Sequence, residues 1–108
     1  MHAPDWSIYK GSDLNNPAGY AVSKAGLLQL TRWLATTLAP EIRVNHISLG
    51  GVVRGQPESF ISAYSAKTPL GRMAQPDDLV GLLLLLTSSA SSYITGQSIG
   101  VDGGWGLA

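Results

Sequence analysis

Five consecutive leucines, Leu82 to Leu86, lie inside a stretch, residues 79–101, that carries no charged side chain. A helix through them is apolar around most of its girth, so it has to be buried on more than one side. Asp77 and Asp78 precede it. Carboxylates favour the positive end of a helix dipole, so the helix is predicted to start at Asp77 or Asp78 and to end near residues 88–92. Covering it takes partners, and 108 residues supply one domain or a piece of one. Charged residues make up 13% of the chain, about half the usual share of roughly 25%, while apolar residues are an ordinary 44%. Much of this surface is therefore expected to be covered. A membrane span is not expected, because it needs about 20 apolar residues and Ser, Thr and Gly fill the second half of the uncharged stretch.

The other elements follow from periodicity and punctuation. Residues 1–19 hold Pro4, Gly11, Asp13, Asn15, Asn16, Pro17 and Gly19 and read as loop. Residues 20–39 read as a helix, with Leu27, Leu30, Leu34 and Leu38 at three- and four-residue spacing, Trp33 beside them and Pro40 as the stop. Residues 42–49 read as a strand ended by Gly50-Gly51. Residues 52–76 look irregular, with a short helical tendency over Glu58 to Lys67. A last strand is predicted over Gln97 to Val101, before the structural turn Asp102-Gly103-Gly104. A strand, a crossover helix and a second strand form a βαβ unit with parallel strands. Parallel sheets are covered on both faces, and two strands with two helices cannot complete one.

Composition excludes several functions. Seven Lys/Arg balance seven Asp/Glu, which leaves no basic excess to displace counterions, so no nucleic-acid partner is expected. Disorder needs lower hydrophobicity and higher charge. The absence of cysteine removes disulfides, thiolate metal sites and a cysteine nucleophile. His2 and His46 are not spaced with carboxylates as metal ligands are; no metal site is expected, and His46 reads as a packed or hydrogen-bonded strand residue. The start, Met1 to Trp6, has no basic and apolar pattern of a signal peptide, and a cytoplasmic protein is the expectation.

The first candidate for chemistry is Tyr20-Ala21-Val22-Ser23-Lys24. Residues four apart share one helix face. An ammonium beside a phenol favours the phenolate, which makes the tyrosine a usable general acid or base. The same two residues alone also describe an ordinary surface pair.

Context narrows the choice. Tyr20 to Leu27 leads into Leu30-Thr31-Arg32 and Leu34-Ala35, then Ala39-Pro40, Ile42-Arg43-Val44-Asn45 and Gly50-Gly51. Pro69-Leu70-Gly71-Arg72, Gln75-Pro76-Asp77-Asp78, Ile94-Thr95-Gly96-Gln97 and Val101-Asp102-Gly103-Gly104-Trp105 follow. In this order and spacing, Tyr20 to Trp105 strongly resembles the C-terminal part of the short-chain dehydrogenase/reductase family. The resemblance implies an α/β fold, the C-terminal part of a Rossmann-like doubly wound parallel sheet in the order helix, strand, helix, strand. It implies hydride transfer between NAD or NADP and a carbonyl or alcohol substrate. Tyr20 matches the family's catalytic tyrosine, and Lys24 the lysine that assists it and binds the nicotinamide ribose. Ser23 matches a position without a fixed catalytic role.

After the first strand the family usually has Pro-Gly, close to the nicotinamide. Here the residues are Leu49-Gly50, then Gly51-Val52-Val53. The resemblance assigns cofactor contact to Gly50, Gly51 and Val53, and Leu49 leaves the turn without the proline stiffener. A catalytic serine is implied upstream of the tyrosine. Either Ser7, 13 residues before Tyr20, fills that place, or residues 3–19 are an insertion and the serine precedes Met1. The family's glycine-rich dinucleotide turn is not in these 108 residues, so the chain reads as a partial domain: 1–19 a loop or insertion, 20–108 the catalytic helix to the last strand. The resemblance also implies a homo-oligomer, with helix 20–39 a candidate interface. The Ser-rich segment from Val53 to Arg72, with few apolar anchors, suggests a polar, sugar-like substrate. The first 19 residues also resemble family members linked to bacterial surface polysaccharides. The alternative is a non-catalytic truncated or degenerate fragment that acts as a packing module.

Overall fold

The computed structural model describes residues 3–107; His2 lies outside them. Helix α1 spans Ala18–Leu38. It begins after Pro17, whose fixed φ suits a helix entry, and its end is followed by Ala39-Pro40. The stripe that faces the rest of the chain is Leu28, Thr31, Ala35 and Leu38, with Thr31 and Ala35 buried. The expected stripe holds at Leu34 and Leu38, which are half-buried, and is displaced at Leu27, Leu30 and Trp33, which are exposed. Small side chains let the backbones approach. A Cβ on Gly96 would lie 3.4 Å from the Ala35 Cβ.

Strand β1 spans His46–Leu49 and β2 Ser98–Val101. They pair in parallel, His46 with Ser98 through Leu49 with Val101. The predicted strand over 42–49 is shorter at its start because side chains claim the earlier backbone groups. Thr95 Oγ1 accepts the Val44 N–H at 3.1 Å, and Asn45 Oδ1 accepts the Gln97 N–H at 3.1 Å. His46 is hydrogen-bonded across the pair, Nδ1 to Ser98 Oγ at 3.0 Å.

Helix α2 spans Glu58–Lys67 and α3 Val80–Thr87. Glu58 in the first turn of α2 and Lys67 in the last both suit its dipole. The predicted start of the leucine helix at Asp77 or Asp78 is instead a 3-10 turn over Pro76–Leu79. Asp78 explains it: its carboxylate accepts the Gln75 N–H at 2.7 Å and both Arg72 guanidinium nitrogens. At the other end of α3, the Arg43 guanidinium donates to the carbonyls of Leu86, Ser88 and Ile94, where the dipole favours a cation.

The core lies on α2, away from the leucines. Ile8, Phe60, Tyr64 and Met73 are buried together, with Tyr9, Val53, Ile61, Ala63 and Trp105 against them. The segment over residues 1–19, read as loop, contains a 3-10 turn at Trp6–Tyr9 that carries Ile8 into this core. Nor is the segment from Val53 to Arg72 poor in anchors, because Phe60 and Tyr64, four residues apart on α2, are its central side chains. A run of aromatic contacts joins Trp6, Tyr9, Phe60, Tyr64 and Trp105. The leucine helix, expected to be buried on more than one side, is not covered by the described chain: Leu83, Leu84 and Leu85 are all exposed, Leu84 by 64%.

Candidate functional site

Tyr20 and Lys24 occupy the first turns of α1. The helix starts on the Tyr20 N–H donating to the Pro17 carbonyl at 3.0 Å. One turn apart, the two side chains meet on a common face, with Lys24 Nζ 5.4 Å from the Tyr20 ring centroid. The phenol is 55% exposed. Ser23, between them, turns inward along the helix and donates to the Tyr20 carbonyl at 2.8 Å.

The orientation of α1 places this pair. Ala35 lies against Gly96, just before the amino end of β2. Residues 39–45 then return the chain to β1. Tyr20 precedes Ala35 by four helical turns, about 22 Å along the axis, whereas a four-residue strand spans only about 10 Å. Tyr20 is thus at the end of α1 away from the amino ends of the strands. In open α/β sheets ligands bind at the carboxyl ends of the strands.

The turn after β1 lies at the same end. The Gly50 N–H donates to the Val101 carbonyl at 2.9 Å, and the Ala74 N–H donates to the Gly51 carbonyl at 2.9 Å. The Gly51 N–H donates to Tyr64 Oη at 2.6 Å. Both positions need glycine. A Cβ on Gly50 would lie 2.9 Å from the Asp102 Cα, and one on Gly51 2.8 Å from Met73 Cε. These close approaches are made by the chain's own atoms, nearest the backbone of Asp102 at Gly50 and the side chains of Met73 and Tyr64 at Gly51. The Val53 N–H donates to the Ala74 carbonyl at 3.0 Å. Among the described residues the Val52 N–H has no acceptor. Sequence reasoning missed Val52 and also Tyr64, which sits 13 residues beyond Gly51 with no periodicity to connect them.

Ser7 belongs to a different cluster. Its Oγ donates to Asp5 Oδ1 at 2.7 Å and accepts from Lys67 Nζ at 2.6 Å, and Lys67 also pairs with Asp5. Lys67 and the Ser7 hydroxyl and amide lower the Asp5 carboxyl to about 2. This cluster pins the Trp6–Tyr9 turn to the end of α2. Among the described residues no hydrogen bond connects it with Tyr20 or Lys24.

A cavity of about 130 Å³ opens beside the Gly50–Gly51 turn, walled by Tyr64, Arg72, Asp78 and Asp102. Its charges are already engaged. Arg72 holds the Asp78 carboxyl well below the usual range. Asp102 accepts the Gly104 N–H at 2.9 Å, closing the predicted turn. Among the described residues no cluster of side chains could hold a metal ion, and no helix is long and apolar enough to cross a membrane.

Known proteins resemble this chain in sequence and fold. A family profile described as enoyl-(acyl carrier protein) reductase matches residues 7–106. Post-translational flagellin modification protein A of Campylobacter coli is 36% identical over 108 residues, 99% of this chain and 42% of that protein. The crystal structure of a short chain dehydrogenase from Leptospira borgpetersenii with bound NAD+ superposes with a TM-score of 0.82 at 48% identity. That match covers 91% of this chain and 40% of the other. A gluconate 5-dehydrogenase from Burkholderia cenocepacia, in complex with NADP and tartrate, superposes with a TM-score of 0.80 at 30% identity, over 89% of this chain and 41% of that one. The chain thus spans about two fifths of the length of the relatives it matches.

Proposed function

Because the chain belongs to the short-chain dehydrogenase/reductase family, we propose that it forms the C-terminal part of an NAD- or NADP-dependent oxidoreductase, with Tyr20 as its general acid/base. The observation that carries this reading is the exposed Tyr20–Lys24 pair, one turn apart on a common face of the helix that precedes two parallel strands. The residues fit a nicotinamide. The Val52 N–H, without an acceptor among the described residues, suits the amide of such a ring, and Lys24, Gly50, Gly51 and Val53 would border it. The dinucleotide supplies the hydride acceptor or donor. Tyr20 gives a proton to the substrate oxygen in reduction and takes it back in oxidation. Lys24, whose Nζ lies 5.4 Å from the Tyr20 ring centroid, would hold the ribose. The fully engaged Asp5–Ser7–Lys67 cluster favours a catalytic serine outside residues 3–107 over Ser7.

The substrate is a small carbonyl or alcohol. A polar, sugar-like one is supported by the resemblance to a gluconate 5-dehydrogenase bound with tartrate. The exposed Leu27, Leu30 and Trp33 on α1 suit an interface with another subunit. The uncovered leucines of α3 favour a second reading for the 108 residues alone: a packing module that binds dinucleotide weakly or not at all.

Turnover of polyols and sugar acids, in a protein that carries this chain within a complete domain, tests the first reading. Tyr20→Phe is expected to lower turnover by about 10²- to 10⁴-fold while dinucleotide binding persists. Retained turnover refutes the role of Tyr20. Titration of the 108 residues with NADH tests the second, and tight binding overturns it.

A further inference from the structure

We propose that Tyr64 is the positioning residue of the Gly50–Val53 turn, its hydroxyl holding the Gly51 amide and its ring tying that amide to the end of β2. The inference deepens the reading above, since it rests on this turn bordering the cofactor. Three observations support it. Tyr64 Oη accepts the Gly51 N–H at 2.6 Å. The ring lies so close that a Cβ on Gly51 would be 2.9 Å from its Cε2 and Cζ. The ring also stacks on Trp105, centroids 4.0 Å apart and planes 10° apart. Trp105 in turn lies just past the three-residue turn that ends β2, its N–H donating to the Asp102 carbonyl at 3.2 Å.

One side chain on α2 thereby links the carboxyl ends of both strands. It also meets a need specific to this chain. Leu49 does not restrict the backbone before Gly50 as a proline would, and two glycines in succession are the most permissive backbone available. The Tyr64 hydroxyl supplies the missing restraint from outside the turn. Burial pushes the phenol up and keeps it protonated, so the acceptor is unchanged across the neutral range.

Amide hydrogen exchange on the full chain, read residue by residue by NMR, tests this. In Tyr64→Phe the Gly51 amide is expected to exchange about three- to tenfold faster, the population change for one hydrogen bond of ordinary net strength. The Gly50 and Val53 amides, whose acceptors are Val101 and Ala74, keep their rates. An unchanged Gly51 rate overturns the proposal. An equal rise at Gly50, Val53 and Ala74 also overturns it, because that reports lost packing rather than a lost restraint. Should Tyr64→Phe fail to fold, the unsubstituted chain decides: Gly51 protected as well as Gly50 supports the proposal, and Gly51 exchanging as an open amide sinks it. In a protein that carries this chain within a complete domain, excess NADH separates the two readings. A Gly51 response to Tyr64→Phe with no NADH-induced shift across residues 50–53 upholds Tyr64 and counts against the cofactor site alone.

Discussion

Glycine at position 51 is a packing requirement before it is anything else. Its missing side chain is replaced by Met73 Cε and the Tyr64 ring, each under 3 Å from where a Cβ would stand. Overpacking at such a site costs about 1–3 kcal/mol, so Gly51→Ala is expected to lower stability by that amount in urea unfolding. Gly26→Ala, on α1 with nothing near its would-be Cβ, is expected to be neutral or stabilising. Asp5 gives a prediction of a different kind. Lys67 and Ser7 hold its carboxyl at about 2 rather than 3.8. Its stabilising contribution is thus fully present above pH 4 and is lost as the pH falls from about 4 through about 2. Asp5→Asn should flatten the acid limb of a stability–pH curve in that window, and an unaltered limb would argue against the pairing with Lys67.

Among the elements, α2 does more than its sequence suggested. Ten residues with three serines and one lysine look like a solvent-facing stretch. Yet Phe60 receives Tyr9 edge-on at 5.5 Å and Tyr64 stacks on Trp105, so the helix clamps the amino-terminal turn and the carboxyl-terminal turn together. Truncating a buried aromatic costs about 3–5 kcal/mol. Phe60→Ala is expected to lose that much and to release the Trp6–Tyr9 turn, which limited proteolysis would detect as new cleavage before residue 17. Helix α3 is held differently. Its apolar side chains find few partners in this chain, and its ends are held by Arg72–Asp78 and by Arg43 on three carbonyls.

For the molecule as a unit, shape and surface agree. The radius of gyration is 15.7 Å, with extents of 49 × 28 × 23 Å, against about 13 Å for a compact domain of this length. The long axis goes with apolar side chains left open to solvent: Leu30, Trp33, Leu83 and Leu84 among them. Contiguous exposed apolar surface drives association. The 108 residues alone are expected to self-associate, and Trp33→Lys with Leu84→Lys is expected to shift them toward monomer in sedimentation. At dilutions where the parent is itself monomeric the unfolding midpoint should be unchanged, because neither side chain is buried in the chain. A variant that remains as associated as the parent would show that these faces are not what holds copies together.

Periodicity and punctuation located the helices at 20–39 and from 77 or 78 to near 88–92 to within a few residues, the parallel pairing of the two strands, and the Tyr20–Lys24 pair. Each depends on neighbours close in sequence: helical spacing, Pro40 as a stop, carboxylates at a helix start. What stayed hidden depends on contacts between distant residues. The buried stripe of α1 is Thr31 and Ala35 rather than Leu27 and Leu30, because Gly96 admits only small side chains at close range. The strand begins at His46 because Asn45 and Thr95 satisfy the backbone before it. Tyr64 reaches Gly51 only through the fold. The low charge of the chain and its run of leucines called for cover; folding showed which faces its own residues leave without it.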